Sequence, residues 1–290
     1  MHAVLWTALG VTLATWLLAV VTRDASWVDR IWSIVPVAYA WIFTGTGGWD
    51  ARAVLVSVLI TCWGARLTFN FARKGGYSGT EDYRWPILRR RMKPWQWQVF
   101  LPLFVSGFQN ALLVAITLPV WSMGCVPAGT AVGWISYAPL DHVTFAVTPA
   151  DLHPVGGWDV LLVALFVLFL AGETWADQQQ WVFHRRKHDA AARGETVEPG
   201  FLDTGLFRYS RHPNFFCEQA QWWVVWLFAV VARGEDWGWT VVGAVALTGL
   251  FVGSTRFTES LSAAKYPAYA GYQRRTSMLV PWWPRRAATA

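Results

Sequence analysis

Residues 205–218 read Gly-Leu-Phe-Arg-Tyr-Ser-Arg-His-Pro-Asn-Phe-Phe-Cys-Glu. Two arginines, a histidine, an asparagine and a glutamate stand directly before an apolar run that holds Trp222, Trp223 and Trp226. Pro213 suits the first turn of a helix, where its missing N–H leaves nothing unsatisfied. A helix starting there puts Asn214 and Glu218 on one face, one turn apart. Arg208, Arg211 and His212 then sit at its mouth. Guanidinium forks bind phosphates well. An amide and a carboxylate offer the donors and acceptors that a carboxamide-bearing ring needs. Such a set suits an anionic, polar cofactor whose reactive end must reach an oily substrate.

Other polar groups fall inside or beside apolar segments. A charge at the centre of a membrane helix costs roughly 2.5–3.5 kcal/mol on insertion scales, so each is a candidate for function. Glu173 and Asp177 share a helix face and need partners, which Arg208, Arg211 and Arg256 can supply. Arg66, Asn70 and Arg73 also share a face. Arg66 either snorkels to the headgroups or points inward towards phosphates. Asp29 beside Arg30 is either an end cap at the headgroups or a proton donor or substrate anchor. In Glu81-Asp82-Tyr83-Arg84-Trp85, Tyr83 is a candidate phenolic acid, Glu81 and Asp82 are candidate ribose anchors, and a solvated loop is the plainer reading.

The elements that position these groups follow from composition. The chain has 290 residues, of which 54% are hydrophobic and only 14% charged. Its mean hydropathy is +0.30. Soluble domains carry roughly 25% charge, and the 22 tryptophans supply material for interfacial aromatic belts. The expectation is an all-α integral membrane protein with about seven spans. Their approximate limits are 3–21, 27–45, 52–72, 98–121, 157–176, 215–232 and 237–255. The first segment lacks a basic leader and a clear cleavage site, so it is read as a retained span.

Lys and Arg crowd residues 73–93, 185–211 and the tail, while residues 122–155 have none. The positive-inside rule then puts the N-terminus outside and the C-terminus in the cytoplasm. Arg52 and Arg233 are exceptions near short outer turns. The loop 122–155 is expected to hold short strands or an irregular cap. The tail, with Tyr266, Tyr269 and Tyr272 and then Pro281-Trp282-Trp283-Pro284, is expected to lie on the cytoplasmic face. The whole chain is read as one membrane domain. In it, residues 1–121 form a four-helix part on the substrate side, and residues 157–290 form a three-helix cofactor part with a tail.

Several function classes lack support. No GxGxxG follows a strand, and there is no Walker loop, HExxH or CxxC pair. The six histidines are scattered and Cys62, Cys125 and Cys217 lie far apart, so no metal site is expected. The net charge of +6 is read as basic cytoplasmic loops rather than nucleic-acid binding.

Asp177, the 205–218 stretch, Arg256 and the closing Tyr272…Leu279-Val280-Pro281 resemble the C-terminal domain of the steroid 5-alpha-reductase superfamily. The resemblance is closest to its bacterial branch of largely unassigned function. Val28-Asp29-Arg30-Ile31-Trp32, Trp63-Gly64-Ala65-Arg66-Leu67 and Glu81-Asp82-Tyr83-Arg84-Trp85 extend the likeness over most of the chain. It implies a seven-helix enzyme of the bacterial inner membrane. Such an enzyme uses NADPH from the cytoplasmic side to reduce an activated carbon–carbon double bond in a lipid or steroid-like molecule that enters from the bilayer.

Cofactor roles carry over onto Asn214, Glu218, Asp177 and Arg256, and more loosely onto Arg211, His212 and Tyr266. Tyr272 belongs to the same signature. Glu173 takes the place of a polar ligand of another type. Arg208 and Arg211, with Arg66, Arg256 and Arg274, are the expected phosphate binders. The Gln-Glu pair expected on the second span and the tyrosine expected on the third are both missing here. Asp29 and Tyr83 therefore stand as candidate proton donors, with Glu218 at the nicotinamide. The same Arg-His-Pro-x-aromatic pattern, with Arg256-Phe257-Thr258-Glu259, also resembles membrane isoprenylcysteine and phospholipid methyltransferases, which use S-adenosylmethionine. A non-enzymatic lipid carrier on this scaffold is the third reading.

Overall fold

A computed structural model describes residues 1–124, 153–234 and 238–285. The expected outer loop at 122–155 falls almost wholly outside them. The protein is helical, and among the described residues the only strand-like pairing is one isolated bridge, Ser210 to Ser277. Among the described residues six helical runs are long and apolar enough to cross a membrane: His2–Thr22, Ala51–Arg73, Pro94–Met123, Gly157–Ala192, Pro213–Arg233 and Trp239–Lys265. This is a multi-pass integral membrane protein.

Contacts divide the chain into two compact units. The first comprises Met1–Val163 and Val224–Ala244, and the second Ala164–Trp223 and Val245–Ala290.

The first unit begins with α1 (His2–Thr22), α2 (Trp27–Ile31), α3 (Val35–Thr46) and α4 (Ala51–Arg73). The stretch expected as one span at 27–45 is thus two helices. Tight turns from Trp32 to Asp29 and from Ile34 to Ile31 separate them, and Pro36 opens α3. At 12 residues, α3 is about 18 Å long. It lies against α4 through small and hydroxylated side chains. A Cβ on Gly64 would stand 2.5 Å from the Ser33 carbonyl oxygen and from Val37 Cγ2. Ser33 and Thr68 hydroxyls meet at 2.7 Å, Trp41 Nε1 donates to Thr61 Oγ1, and Thr44 meets Ser57 at 2.8 Å. Small residues and interhelical hydrogen bonds are the usual means of joining helices in lipid, where apolar burial gives no drive.

Next come α5 (Arg84–Arg91), α6 (Pro94–Phe100), a π-helical turn at Leu101–Phe108, α7 (Gln109–Ala115) and α8 (Leu118–Met123). Phe100, Phe104 and Phe108 stack along the π segment, with centroids 4.8 and 5.4 Å apart. Arg52, an exception to the charge pattern, is buried and neutralised. Its Nε and Nη2 donate to Asp159 at 2.6 and 2.9 Å, and its other contacts are the His153 and Pro154 carbonyls. An unpaired guanidinium there would be costly.

The long α9 (Gly157–Ala192) and α10 (Pro213–Arg233) pass through both units in sequence. They are followed by α11 (Val242–Lys265) and α12 (Tyr269–Arg275). With 36 residues, α9 is about 54 Å long, well beyond the roughly 30 Å of a hydrocarbon core.

Candidate functional site

In the second unit α10 begins at Pro213, where the proline rule places a helix start. A 3-10 turn at Gly205–Arg208 precedes it. Gly205 has φ +62°, and a Cβ there would lie 2.6 Å from Gln179 Oε1. That oxygen instead accepts the Leu206 N–H at 3.0 Å. The positive φ is what calls for glycine here, since the Gln179 amide ends a flexible side chain.

Two polar contacts join α9 to α10. Asn214 Nδ2 donates to Asp177 Oδ1 at 3.3 Å. About two turns further along α10, Gln221 Nε2 donates to Glu173 Oε2 at 2.7 Å. Between them Gly172 faces Cys217, whose sulfur would be 3.0 Å from an added Cβ. Glu173, Asp177, Glu218 and Gln221 are all buried. Acids and amides at this depth are costly unless paired. This arrangement can receive a carboxamide or hydroxyl-bearing ring. Gln221 was missed in the sequence. It lies two turns beyond Asn214 and one residue from the tryptophan run, where it reads as a span residue.

A second centre forms around Glu259 on α11, which is 4% exposed. Arg211 Nε and Nη2 donate to its two oxygens at 2.6 and 2.9 Å, His212 Nε2 lies 3.0 Å away, and Gln273 Nε2 donates at 2.9 Å. Arg211 Nη1 also donates to the Gln273 and Thr276 carbonyls. The tail closes over the same segment. Arg211 N–H donates to Ser277 O at 2.8 Å, Ser210 Oγ to Leu279 O at 2.6 Å, and Trp282 N–H to Tyr209 O at 2.9 Å. Tyr272 donates its hydroxyl to Phe207 O, and Phe201 stacks on its ring. Arg211, His212 and Tyr272 therefore hold the segment in place. The Arg211 guanidinium, His212 Nε2 and the Tyr272 hydroxyl are already engaged, and Glu259 is the residue that engages the first two.

The cations with capacity to spare are different ones. Arg208, Arg256 and Arg274 are exposed and make no ion pair among the described residues. Tyr266 meets Lys187 Nζ at 2.5 Å, and Lys187 also donates to Gly200 O at 2.7 Å. Burial raises the Tyr266 phenol, but the ammonium groups of Lys187 and Lys265 outweigh it and leave its pKa below the usual tyrosine value. Burial pushes Tyr269 and Tyr272 well above that value.

Asp29, Tyr83 and Arg66 belong to the first unit. Asp29 Oδ2 accepts the Trp85 indole N–H at 2.8 Å, and Arg84 lies 3.6 Å from Oδ1. Arg84 also pairs with Asp82 at 2.8 Å. Glu81 accepts the Ala25 N–H at 2.9 Å and pairs with Arg89 at 2.6 Å. Glu81 thus ties this segment to the turn before α2 through Ala25, and Asp82 does so through its own N–H, which donates to Ser26 Oγ at 2.8 Å. Tyr83 is 60% exposed, and partial burial still pushes its phenol up. Among the described residues no group of three His, Cys, Asp or Glu is placed to hold a metal ion.

Comparison with known proteins adds the family. A model for a family described as a protein of unknown function, DUF1295, matches residues 15–148 and 132–276. An uncharacterized protein of Schizosaccharomyces pombe is 34% identical over 282 residues, covering 92% of this chain and 75% of that relative. No solved structure matches. The Asp177–Asn214 contact, the Glu259 centre and the membrane helices are thus features of a chain that belongs to the DUF1295 family, a steroid 5-alpha-reductase-like family.

Proposed function

We propose that this protein is an NADPH-dependent reductase of an activated carbon–carbon double bond in a lipid or steroid-like substrate, working in the inner membrane of a bacterium. The observation that carries the reading is the pairing of buried Asp177 with half-buried Asn214, one helix turn from Glu218. The residues present fit the nucleotide. Asn214, Asp177 and Glu218 offer the donor and acceptors for a carboxamide and ribose. Arg208, Arg256 and Arg274 keep their guanidinium groups available for phosphates, a role Arg211 cannot share while it is bound to Glu259. When bound, the dihydronicotinamide supplies the hydride. The chain's own residues orient the ring, hold the phosphates and exclude water, which strengthens each electrostatic contact. Asp29 and Tyr83 remain the candidate proton donors. Burial outweighs the Arg84 and Trp85 contacts of Asp29 and pushes its carboxyl up to about 6, which favours a group that holds a proton.

The methyltransferase reading draws on Glu218 and Glu259, buried carboxylates that suit a sulfonium cation. Glu259, however, already faces Arg211 and His212. Thermal unfolding of the detergent-purified protein with NADPH, NADH and S-adenosylmethionine separates the readings, since a ligand of the native state raises the melting temperature. Stabilisation by NADPH alone is the expected result. Stabilisation by S-adenosylmethionine alone would replace the reductase with the methyltransferase.

A further inference from the structure

The C-terminal third of α9 carries a feature that the nucleotide reading does not use. A groove of about 370 Å³ runs along it, with Trp181, Val182, Arg185, Arg186, Asp189 and Arg193 in its lining. Arg193 is shared with Glu195 at 3.0 Å. Arg185 and Arg186 are exposed and have no ion pair among the described residues. Asp189 is the only carboxylate in the lining, and His188 lies 3.8 Å from it.

This groove lies on a different side of α9 from the acidic cluster. At about 100° per residue, Glu173, Asp177 and His184 fall within about 40° of one another and Trp181 borders them, whereas Val182, Arg185, Arg186 and Asp189 lie about 80–180° round from Asp177. That second side has an apolar continuation. Leu168, Trp175 and Val182 recur every seven residues and are 63%, 62% and 55% exposed. The resulting stripe is apolar along the membrane part of α9 and becomes cationic where the helix outruns the hydrocarbon core.

We propose that this groove binds the phosphate of an anionic glycerophospholipid from the leaflet that the C-terminal end of α9 meets. Arg185 and Arg186 contact the phosphate, and Val182, Trp175 and Leu168 lie along an acyl chain. The apolar stripe leading into the arginines favours a lipid over a soluble anion. Two unpaired guanidiniums favour an anionic lipid over a zwitterionic one, whose own ammonium would compete.

The test is thermal unfolding of the full chain in neutral detergent with added phosphatidylglycerol, phosphatidylcholine, inorganic phosphate or NADPH. Phosphatidylglycerol near saturation is expected to raise the melting temperature by about 5 °C, with little effect from phosphatidylcholine or phosphate. Arg185→Gln/Arg186→Gln should lose most of that rise and keep the wild-type response to NADPH. Arg185→Lys/Arg186→Lys, which keeps the charge, should retain it in part and shows that the pair folds when altered. Equal shifts with phosphatidylglycerol and phosphatidylcholine, or an undiminished shift in the Gln variant, would overturn the proposal. So would an equal response to inorganic phosphate, which makes the groove a plain anion site. Loss of the NADPH response in the Gln variant would assign the groove to the nucleotide instead. Failure of wild type to respond to NADPH would weigh against the reductase alone and leave the lipid site standing.

Discussion

Arg211 reaches Glu259 with both prongs of its guanidinium, at 2.6 and 2.9 Å, across 48 residues of sequence. His212 and Gln273 fill the remaining positions around the same carboxylate. The arginine most prominent in the 205–218 signature is therefore a fastening between α10, α11 and the tail. Removing one partner of such a buried pair leaves the other uncompensated, at a cost of about 3–5 kcal/mol. Glu259→Ala is expected to lower the melting temperature by about 10 °C and to loosen residues 277–282 to limited proteolysis. Unchanged melting and unchanged cleavage would show that the contact does not hold the tail.

The α9–α10 pairing behaves differently if it receives a nucleotide. Asp177→Ala and Asn214→Ala should weaken NADPH binding by about tenfold or more, since each removes a hydrogen-bonding group offered to the carboxamide and ribose. Titration calorimetry reads the affinity, and melting should fall by far less than in Glu259→Ala. NADPH affinity equal to wild type in both variants would remove these residues from the site.

Unpaired cations should carry the phosphates. Arg208→Gln, Arg256→Gln and Arg274→Gln are each expected to weaken NADPH and to flatten the salt dependence of binding, with a smaller effect on NADH for whichever arginine meets the 2′-phosphate. Arg211→Gln should act chiefly on stability. Binding measured between low and high salt checks both statements. A salt slope identical to wild type in all three variants would contradict the assignment.

Tyr266 gives a pH prediction. Its phenol ionises below the usual value because Lys187 and Lys265 overcome the effect of burial. A group whose folded pKa is depressed adds stability above its unfolded pKa and loses it as pH falls through the folded value. Melting of wild type relative to Tyr266→Phe should therefore improve as pH rises towards about 10, the free phenol value. Ultraviolet titration should show one phenol ionising early, a step absent in Tyr266→Phe, while Tyr269 and Tyr272 stay protonated. An unaltered ultraviolet curve in the variant would be the contrary result.

Local chemistry made part of this structure readable in advance. Pro213 marks the start of α10, apolar length gives the long helices, and Glu173 and Asp177 share a face because they are one turn apart. The partners across helices were not readable. Nothing in periodicity links Arg211 to Glu259 or Glu173 to Gln221, because each pair joins separate elements through tertiary packing. Hydropathy also joined 27–45 into one span. The break at Trp32–Ile34 comes from turn hydrogen bonds and Pro36, which an apolar average does not register. Glu81 looked available for a ligand because its partners, the Ala25 N–H and Arg89, are supplied only once the turn after α1 meets α5.

Arg52 and Asp159 are 107 residues apart. During synthesis the arginine emerges long before the carboxylate that neutralises it. A nascent chain that has delivered α1 to α8 still holds at the head of α4 a cation whose burial conflicts with the lack of its counter-ion. The arrival of α9 relieves that conflict, so the first unit reaches its final electrostatic balance only when the chain's longest helix has been inserted. Ribosome-bound chains ending before residue 159 should accordingly hold α4 less firmly in place than chains ending after it.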